Sequence, residues 1–171
     1  MAGVTADLTF NLDARLAGSA VGAASRAVNA SIARTLQFTP GNAALGKADL
    51  MYTATRTLAA SANETIDLAG SLTDALGATF TATEVMAIVV EAASGNTNDV
   101  VIGGADANHF IGPFGAAAHT LAIRPGQYLA LTDTQGWAVT AVTGDLLKVA
   151  NSSSGSAVTY TITVIGRSVS N

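Results

Sequence analysis

Few residues in this chain are of the types that catalysis or metal binding uses: it has two histidines, twelve carboxylates and no cysteine. His109, His119 and Asp106 could in principle ligate a metal ion, but neither histidine has a partner at the spacing of an HExxH-type site. Both histidines lie in segments rich in turn formers, which favours exposed loop positions. The sequence therefore predicts no metal site and no cofactor.

The carboxylates give no catalytic pattern either. Aspartates at strand ends usually form turns or supply edge charges, and those beside turn signals are Asp67, Asp74, Asp99, Asp133 and Asp145. Segments 96–99 and 106–108 resemble calcium loops only in composition, because no twelve-residue loop with its glycine and terminal glutamate is present. The chain also lacks a G-x-S-x-G elbow, a phosphate-binding loop and a dinucleotide fingerprint. We predict no catalytic residues and no enzyme activity.

The composition indicates a protein that associates with itself. Of its 171 residues, 49% are hydrophobic and only 12% are charged, about half the charged fraction of an ordinary soluble domain. So few charges give little defence against association, which implies that much of the surface lies against other subunits. We expect a homo-oligomer, with a trimer favoured.

Charge and hydropathy argue against two other kinds of partner. The net charge is −4 and the eight lysines and arginines are scattered singly, whereas nucleic-acid binding needs clustered cations. The most apolar stretch, residues 85–90, is far shorter than the roughly 20 residues of a membrane helix. Residues 1–7 lack the pattern of a secretory signal, so we expect synthesis in the cytoplasm and no membrane partner.

Short alternating runs dominate the chain and predict β-strands. Residues 158–164 place Val158, Tyr160, Ile162 and Val164 on one face and threonines on the other, which is typical of a half-buried strand. From Glu64 onward, such runs recur at the roughly 8–12-residue spacing of a sandwich or barrel. The predicted fold is all-β, a jelly-roll-like antiparallel β-sandwich over residues 48–171.

Three local predictions concern how these strands connect. The run EVMAIVVEA at 84–92, the loop at 94–98 and the run at 99–102 together predict a hairpin. A turn at 133–136 is expected to separate two strands, at 127–131 and 137–142. Segments 18–33 and 71–76 are the two places where a short helix is considered.

Residues 1–47 differ from the rest because they are rich in Gly and Ala and have little that could form a core. We interpret them as an extended N-terminal arm or added hairpin. Leu8, Phe10 and Leu12 alternate with polar residues, and they are the predicted subunit contact.

The predicted core of the sandwich consists of the apolar residues on the inward side of each strand: Ile66, Leu68, Val85, Ile88, Val90, Val101, Leu121, Ile123, Leu129, Leu131, Val139, Leu147, Val149, Ile162 and Val164.

Residues 56–166 resemble a family of small virion structural proteins of tailed bacteriophages and prophages. The matching motifs are ETIDLAG at 64–70, TDALGA at 73–78, ASGNTND at 93–99, VIGG at 101–104, IRPG at 123–126 and TGDLLKVAN at 143–151. The resemblance implies a virion β-sandwich, a capsid decoration (cement) protein that binds the outside of an icosahedral head as a trimer. Its partners would be its own copies and the major capsid protein, and its location the virion.

Two alternatives remain open at this point. A tail, baseplate or head-fibre component with a host-surface or glycan-binding role would have few copies per particle, whereas a decoration protein would have hundreds. Glycan sites usually show exposed aromatic residues, and Tyr52, Tyr128, Trp137 and Tyr160 are the candidates apart from the phenylalanines. An enzyme on a β scaffold is the least favoured class.

Overall fold

The computed structural model describes residues 3–18 and 26–170, and all regular secondary structure in these residues is β. The strands in chain order are β1 (Ala6–Gly18), β2 (Arg26–Pro40), β3 (Lys47–Ala48), β4 (Leu50–Leu58), β5 (Asn63–Asp67), β6 (Ala69–Thr73), β7 (Thr79–Thr81), β8 (Glu84–Ala92), β9 (Val100–Gly103), β10 (Thr120–Ile123), β11 (Tyr128–Ala138), β12 (Leu146–Asn151) and β13 (Val158–Arg167).

Eight of these strands form a sandwich of two four-stranded sheets. One sheet has the order β4-β13-β8-β11 and the other has the order β5-β12-β9-β10, and every pairing within them is antiparallel. If these eight strands are renumbered from one to eight in chain order, the first sheet has the order 1-8-3-6 and the second has the order 2-7-4-5. This is the interleaved arrangement of a jelly roll. The prediction of an all-β, jelly-roll-like sandwich is confirmed.

The main core lies between the two sheets and comes from the period-two pattern of each strand. In β13, Val158, Tyr160, Ile162 and Val164 are buried, while the threonines between them are partly exposed. Strand β8 is buried on both faces over much of its length. Its second buried face, at Met86 and Ala87, packs under the N-terminal segment.

Most of the predicted core residues are buried. Val101, Leu129 and Leu131 are only half-buried, and Leu121 is wrongly placed in the core because it is exposed. Strand β10, which carries Leu121, lies at the edge of its sheet, so one face has little cover.

Three local predictions are wrong. Strands β8 and β9 do not form a hairpin, since β8 pairs with β11 and β13 whereas β9 pairs with β10 and β12 in the opposite sheet. The predicted turn at 133–136 is a bulge inside one strand, β11, where Gly136 has a φ of 87°. Residues 26–33 and 71–73 are strand rather than helix; residues 19–25 of the first segment lie outside the described residues.

Strands β1 and β2 form a long antiparallel hairpin, which we call the arm. Its register runs from Ala6 opposite Phe38 to Gly18 opposite Arg26. At its base, Val4, Phe38 and Ala48 are buried against Met86, Ala87 and Ile165, on the side of the β4-β13-β8-β11 sheet that faces away from the main core. The boundary at residues 47 and 48 stays a prediction, and a cut there would uncover this second cluster.

A buried arginine fixes the arm base to the sandwich. Arg167, at the end of β13, is fully buried and forms an ion pair with Glu84 at the start of β8. Its guanidinium also donates to the carbonyl oxygen of Ala44, at 2.8 Å, and to that of Gln135 in the β11 bulge. One side chain therefore joins the loop after the arm to three strands of the sandwich.

The core assignment of β8 is tested by Ile88→Ala. Removing a fully buried Ile side chain should cost about 2–5 kcal/mol of unfolding free energy, because a cavity remains between the sheets. Chemical denaturation monitored by circular dichroism gives this value. Leu76→Ala is the matched control, since Leu76 is 87% exposed. Equal midpoints for the two variants would show that the placement of β8 in the core is wrong.

Candidate assembly interface

The register of the arm separates its side chains into two faces. Residues directly opposite each other in an antiparallel pair lie on the same side of the ribbon. The rungs on one side are Leu8 with Leu36, Phe10 with Arg34, Leu12 with Ile32, Ala14 with Ala30 and Leu16 with Val28. We call this side the apolar face of the arm. Arg34 is its one charged residue within 8–16 and 28–36.

The opposite side of the arm is polar and makes its own hydrogen bonds. The hydroxyl groups of Thr9 and Thr35 lie 3.3 Å apart, and the Ser31 hydroxyl donates to Asp13 at 2.6 Å. These cross-strand contacts hold the two strands in register from a side that can remain in water. Side chains on the polar side can therefore stay in water, so the apolar face is the side on which contact with another surface would bury apolar area.

The apolar face is nevertheless uncovered over most of its length. Leu8 and Leu36 are half-buried where they pack on the cluster at the arm base. Further out, Phe10, Leu16 and Val28 are 55%, 73% and 67% exposed. Residues 9–18 and 26–35 form the part that we call the distal arm. Large exposed apolar patches of this kind mark interaction sites in soluble proteins.

The structure places the predicted contact residues Leu8, Phe10 and Leu12 together on the apolar face. Leu8 belongs to the arm base, whereas Phe10 and Leu12 are exposed. Their role in subunit contact stays a prediction. Sequence reasoning missed the other half of the face, on β2, because residues 18–33 are rich in small residues. The signal that could have indicated this half of the face is the alternation of Val28, Ile32 and Leu36 with polar residues.

A cleft of about 510 Å³ separates the start of the arm from the outer side of the sheet. Leu8, Phe10 and Leu36 line one wall, and the second wall includes Val89 and Ala130. Tyr128, at the cleft, is 71% exposed. The gap shows that the arm leaves the sheet surface soon after its base.

Threonines cover the other half of the same outer sheet surface. Cross-strand hydroxyl pairs join Thr53 to Thr163 at 3.0 Å, Thr55 to Thr161 at 2.9 Å and Thr57 to Thr159 at 3.0 Å. We call these six residues the threonine face. Because each pair shares a hydrogen bond, fewer hydroxyl hydrogens need water, and the methyl groups add apolar surface.

A polar cluster closes the sandwich along the edge formed by β4 and β5. Arg56 forms an ion pair with Glu64 and donates to the Tyr52 hydroxyl at 2.6 Å. Glu64 also accepts a hydrogen bond from Tyr160 at 2.8 Å. Burial and this hydrogen bond raise the pKa of Tyr160 well above its usual range. The cluster ties one sheet to the other, and its tyrosines are buried.

The residues first considered for metal binding are not brought together. Asp106 pairs with Lys148 at 2.9 Å, and His119 is exposed, with Nδ1 lying 2.7 Å from the Phe114 carbonyl oxygen. His109 forms an isolated bridge with Leu146. Among the described residues, no group of three or more His, Cys, Asp or Glu side chains could hold a metal ion.

The four aromatic residues considered for glycan binding do not form one surface. Tyr52 and Tyr160 are buried, and Trp137 is half-buried against the main core. Tyr128 alone of the four is largely exposed, on the outer side of the sheet.

Comparison with models of known protein families finds no match, and comparison with curated proteins finds none either. Within the described residues, no helix is long and apolar enough to cross a membrane.

The apolar face of the arm is tested by placing two charges on one of its rungs, with Leu12→Asp combined with Ile32→Asp. Burying two unpaired carboxylates in a contact should cost roughly 3 kcal/mol or more, which is about a hundredfold weaker association. Light scattering over micromolar concentrations measures this change.

The matched control adds the same charges to the polar side of the arm, with Ala17→Asp and Ala27→Asp on one exposed rung. This variant should associate like the unchanged protein. A wild-type chain that stays monomeric at micromolar concentration, or equal losses in both variants, would contradict an assembly role for the apolar face.

Proposed function

We propose that this protein is a non-enzymatic structural subunit of a bacteriophage virion. Its specific role is that of a capsid decoration protein, which binds the outside of an icosahedral head as a homo-oligomer, favoured to be a trimer. Its partners in this role are its own copies and the major capsid protein.

The observation that carries the proposal is the exposed apolar face of the arm. A two-stranded ribbon alone is marginally stable in water, and the distal arm has no third strand or covering element among the described residues. Its Phe10, Leu16 and Val28 side chains remain open to solvent in the single chain. A subunit that works inside an assembly would cover them.

Two further features support a structural role on a particle. Jelly rolls are common in viral capsid proteins, although a fold alone does not define a function. The low charge content, 12% of residues, suits a protein whose surface is largely covered by neighbours. Among the possible assemblies, a phage particle is favoured because the motifs between residues 56 and 166 resemble those of phage virion proteins.

The mechanism of stabilisation would be mass action. A ligand that binds the assembled shell but not its separated subunits stabilises the shell by its binding free energy. An oligomeric decoration protein would contact several capsid subunits at once, so each contact can be weak while the total binding is strong. This avidity requires that copies associate with one another or with the shell. The arm would supply that association.

The test uses capsid shells that lack the protein. The variant replaces residues 10–34 by an Asn-Gly turn, which Thr9 and Thr35 would flank as opposing residues. It keeps the arm base, and therefore the cluster around Met86 and Ala87. We expect it to unfold near the midpoint of the full chain but to bind shells at least tenfold more weakly in a co-sedimentation assay.

The control for this experiment is Thr35→Ser, which keeps the arm and changes only its polar side. It should bind shells like the full chain. If the full chain does not bind or stabilise shells, the decoration role is wrong. If the shortened variant binds as well as the full chain, the arm has no part in attachment.

A further inference from the structure

The outer edge of β1 is open along the distal arm. Within the part of the chain that the structure describes, β1 pairs only with β2, and the ladder between them runs from Ala6 to Gly18 without a bulge. Residues 9–18 are all exposed and include no proline. A long, regular edge strand with free backbone groups is a template for pairing with another strand.

The middle of β1, with the sequence Leu-Asp-Ala-Arg-Leu, complements itself when two copies of the strand run antiparallel. In one register, Ala14 lies opposite Ala14 of the second copy. Asp13 then lies opposite Arg15 of the second copy, and the reverse pair forms as well. On the apolar face, Leu12 lies opposite Leu16 in the same way. Unlike charges and apolar side chains in opposed positions both stabilise a sheet.

The same register satisfies the backbone. Successive residues of a strand direct their N–H and C=O groups to alternate edges. Each opposed pair in this register consists of two even-numbered or two odd-numbered residues, so both members of a pair direct their backbone groups to the same edge. Moving the centre of the pairing by one residue, to Asp13 or to Arg15, would place two like charges directly opposite each other, which is destabilising.

The charges of the arm also favour this edge over the outer edge of β2. In β1, Asp7, Asp13 and Arg15 all lie on the polar side of the arm. Strand β2 contains no acidic residue, and its Arg34 lies on the apolar face. Two β2 edges would therefore bring no unlike charges together. A β1 edge beside a β2 edge, in one sheet with a continuous apolar face, would leave Arg34 on the opposite side from both aspartates.

Both side chains of the new ion pair have capacity for it. Arg15 has no ion pair or hydrogen bond among the described residues. Asp13 accepts hydrogen bonds from Ser31 at 2.6 Å and from Asn11 at 3.2 Å, both within the arm. An ionised carboxylate has about four acceptor sites, so Asp13 can accept from a guanidinium while it keeps these contacts.

We propose that the outer edge of β1 pairs antiparallel with the same edge of a second copy over residues 10–18, about a two-fold axis at Ala14. The product is a four-stranded sheet in the order β2-β1-β1-β2, with an apolar face twice as wide as that of one arm. Because both copies contribute the same edge, the contact is isologous and closes as a pair. The inference rests on the association between copies in the proposed function, where this contact would join one oligomer to the next.

Backbone hydrogen bonds supply most of the contact. An antiparallel overlap averages one hydrogen bond per opposed pair, so residues 10–18 would form roughly nine. A typical protein–protein interface has about ten direct hydrogen bonds. In strand addition, the main chain gives affinity and the alternate side chains give specificity, which is the role of the Asp13–Arg15 pairs here.

Single cysteines test the register directly, because the chain has no cysteine of its own. The purified full-length protein is oxidised mildly without any capsid shell. Ala14→Cys should form a covalent dimer, since opposed residues have Cα atoms roughly 4.5–5.5 Å apart, which a disulfide spans. Ala30→Cys is the matched control on the same rung and face but on β2, roughly 14 Å from its counterpart in the four-stranded sheet. We expect dimers of Ala14→Cys to form at least tenfold faster.

The ion pairs are tested by exchanging their charges. Arg15→Asp places two carboxylates opposite each other at two positions, and association measured by light scattering should weaken about tenfold. Adding Asp13→Arg restores unlike charges in the same register and should recover most of the loss. A general structural effect of changing Arg15 would not be reversed by a second change at Asp13.

Several outcomes would overturn the proposal. Equal dimer formation by Ala14→Cys and Ala30→Cys, or none by either, would show that the β1 edges do not pair. Faster dimer formation by Asn11→Cys would show a different register, in which Asp7 opposes Arg15 and the pairing extends into the arm base. No recovery in the exchanged variant would exclude the ion pairs. Shell binding by the full chain would still support the decoration role in each case.

Discussion

A two-stranded β-ribbon cannot bury its own apolar face, because it has only one layer. The sandwich meets it by stacking two sheets, whose inward residues such as Ile88 and Ile162 are fully buried. The arm has the same alternation as the sandwich strands, but the described residues supply no second layer beyond its base. In the proposed assembly, a surface from another subunit would cover its outer residues.

The base of the arm explains why such a ribbon can be presented at all. Phe38 is fully buried on the sheet, and Arg167 links the loop at Ala44 to Glu84 and to the β11 bulge. Breaking a buried ion pair by removing one partner usually costs about 3–5 kcal/mol, because the other charge is left uncompensated. This anchor sets the direction in which the arm leaves the sandwich and reduces the entropy lost when a partner binds it.

Local patterns in the sequence are enough to predict the strands, but they do not predict which strands pair. The alternation of apolar and polar residues in 158–164 and in 8–12 predicts strands, and both segments are strands in the structure. The pairing of Glu84 with Arg167 joins residues far apart in sequence, so no local signal marks it. The predicted pairing of β8 with β9 is wrong for this reason. The turn predicted at 133–136 is wrong because a bulge uses the same residue types as a turn. At the candidate interface, β1 was predictable from its large apolar residues. The alanine-rich part of β2 was not, since small residues leave helix, loop and strand all open.

Hydrogen exchange read by mass spectrometry at two protein concentrations shows whether the distal arm is covered only when copies associate. If assembly covers the distal arm, its amide groups should be protected in the concentrated protein and should exchange much faster after dilution to the monomer. The arm base and strands β8 and β13 should stay protected at both concentrations, because their cover comes from the same chain. Fast exchange of the distal arm at both concentrations would contradict the account, as would equal protection in the monomer.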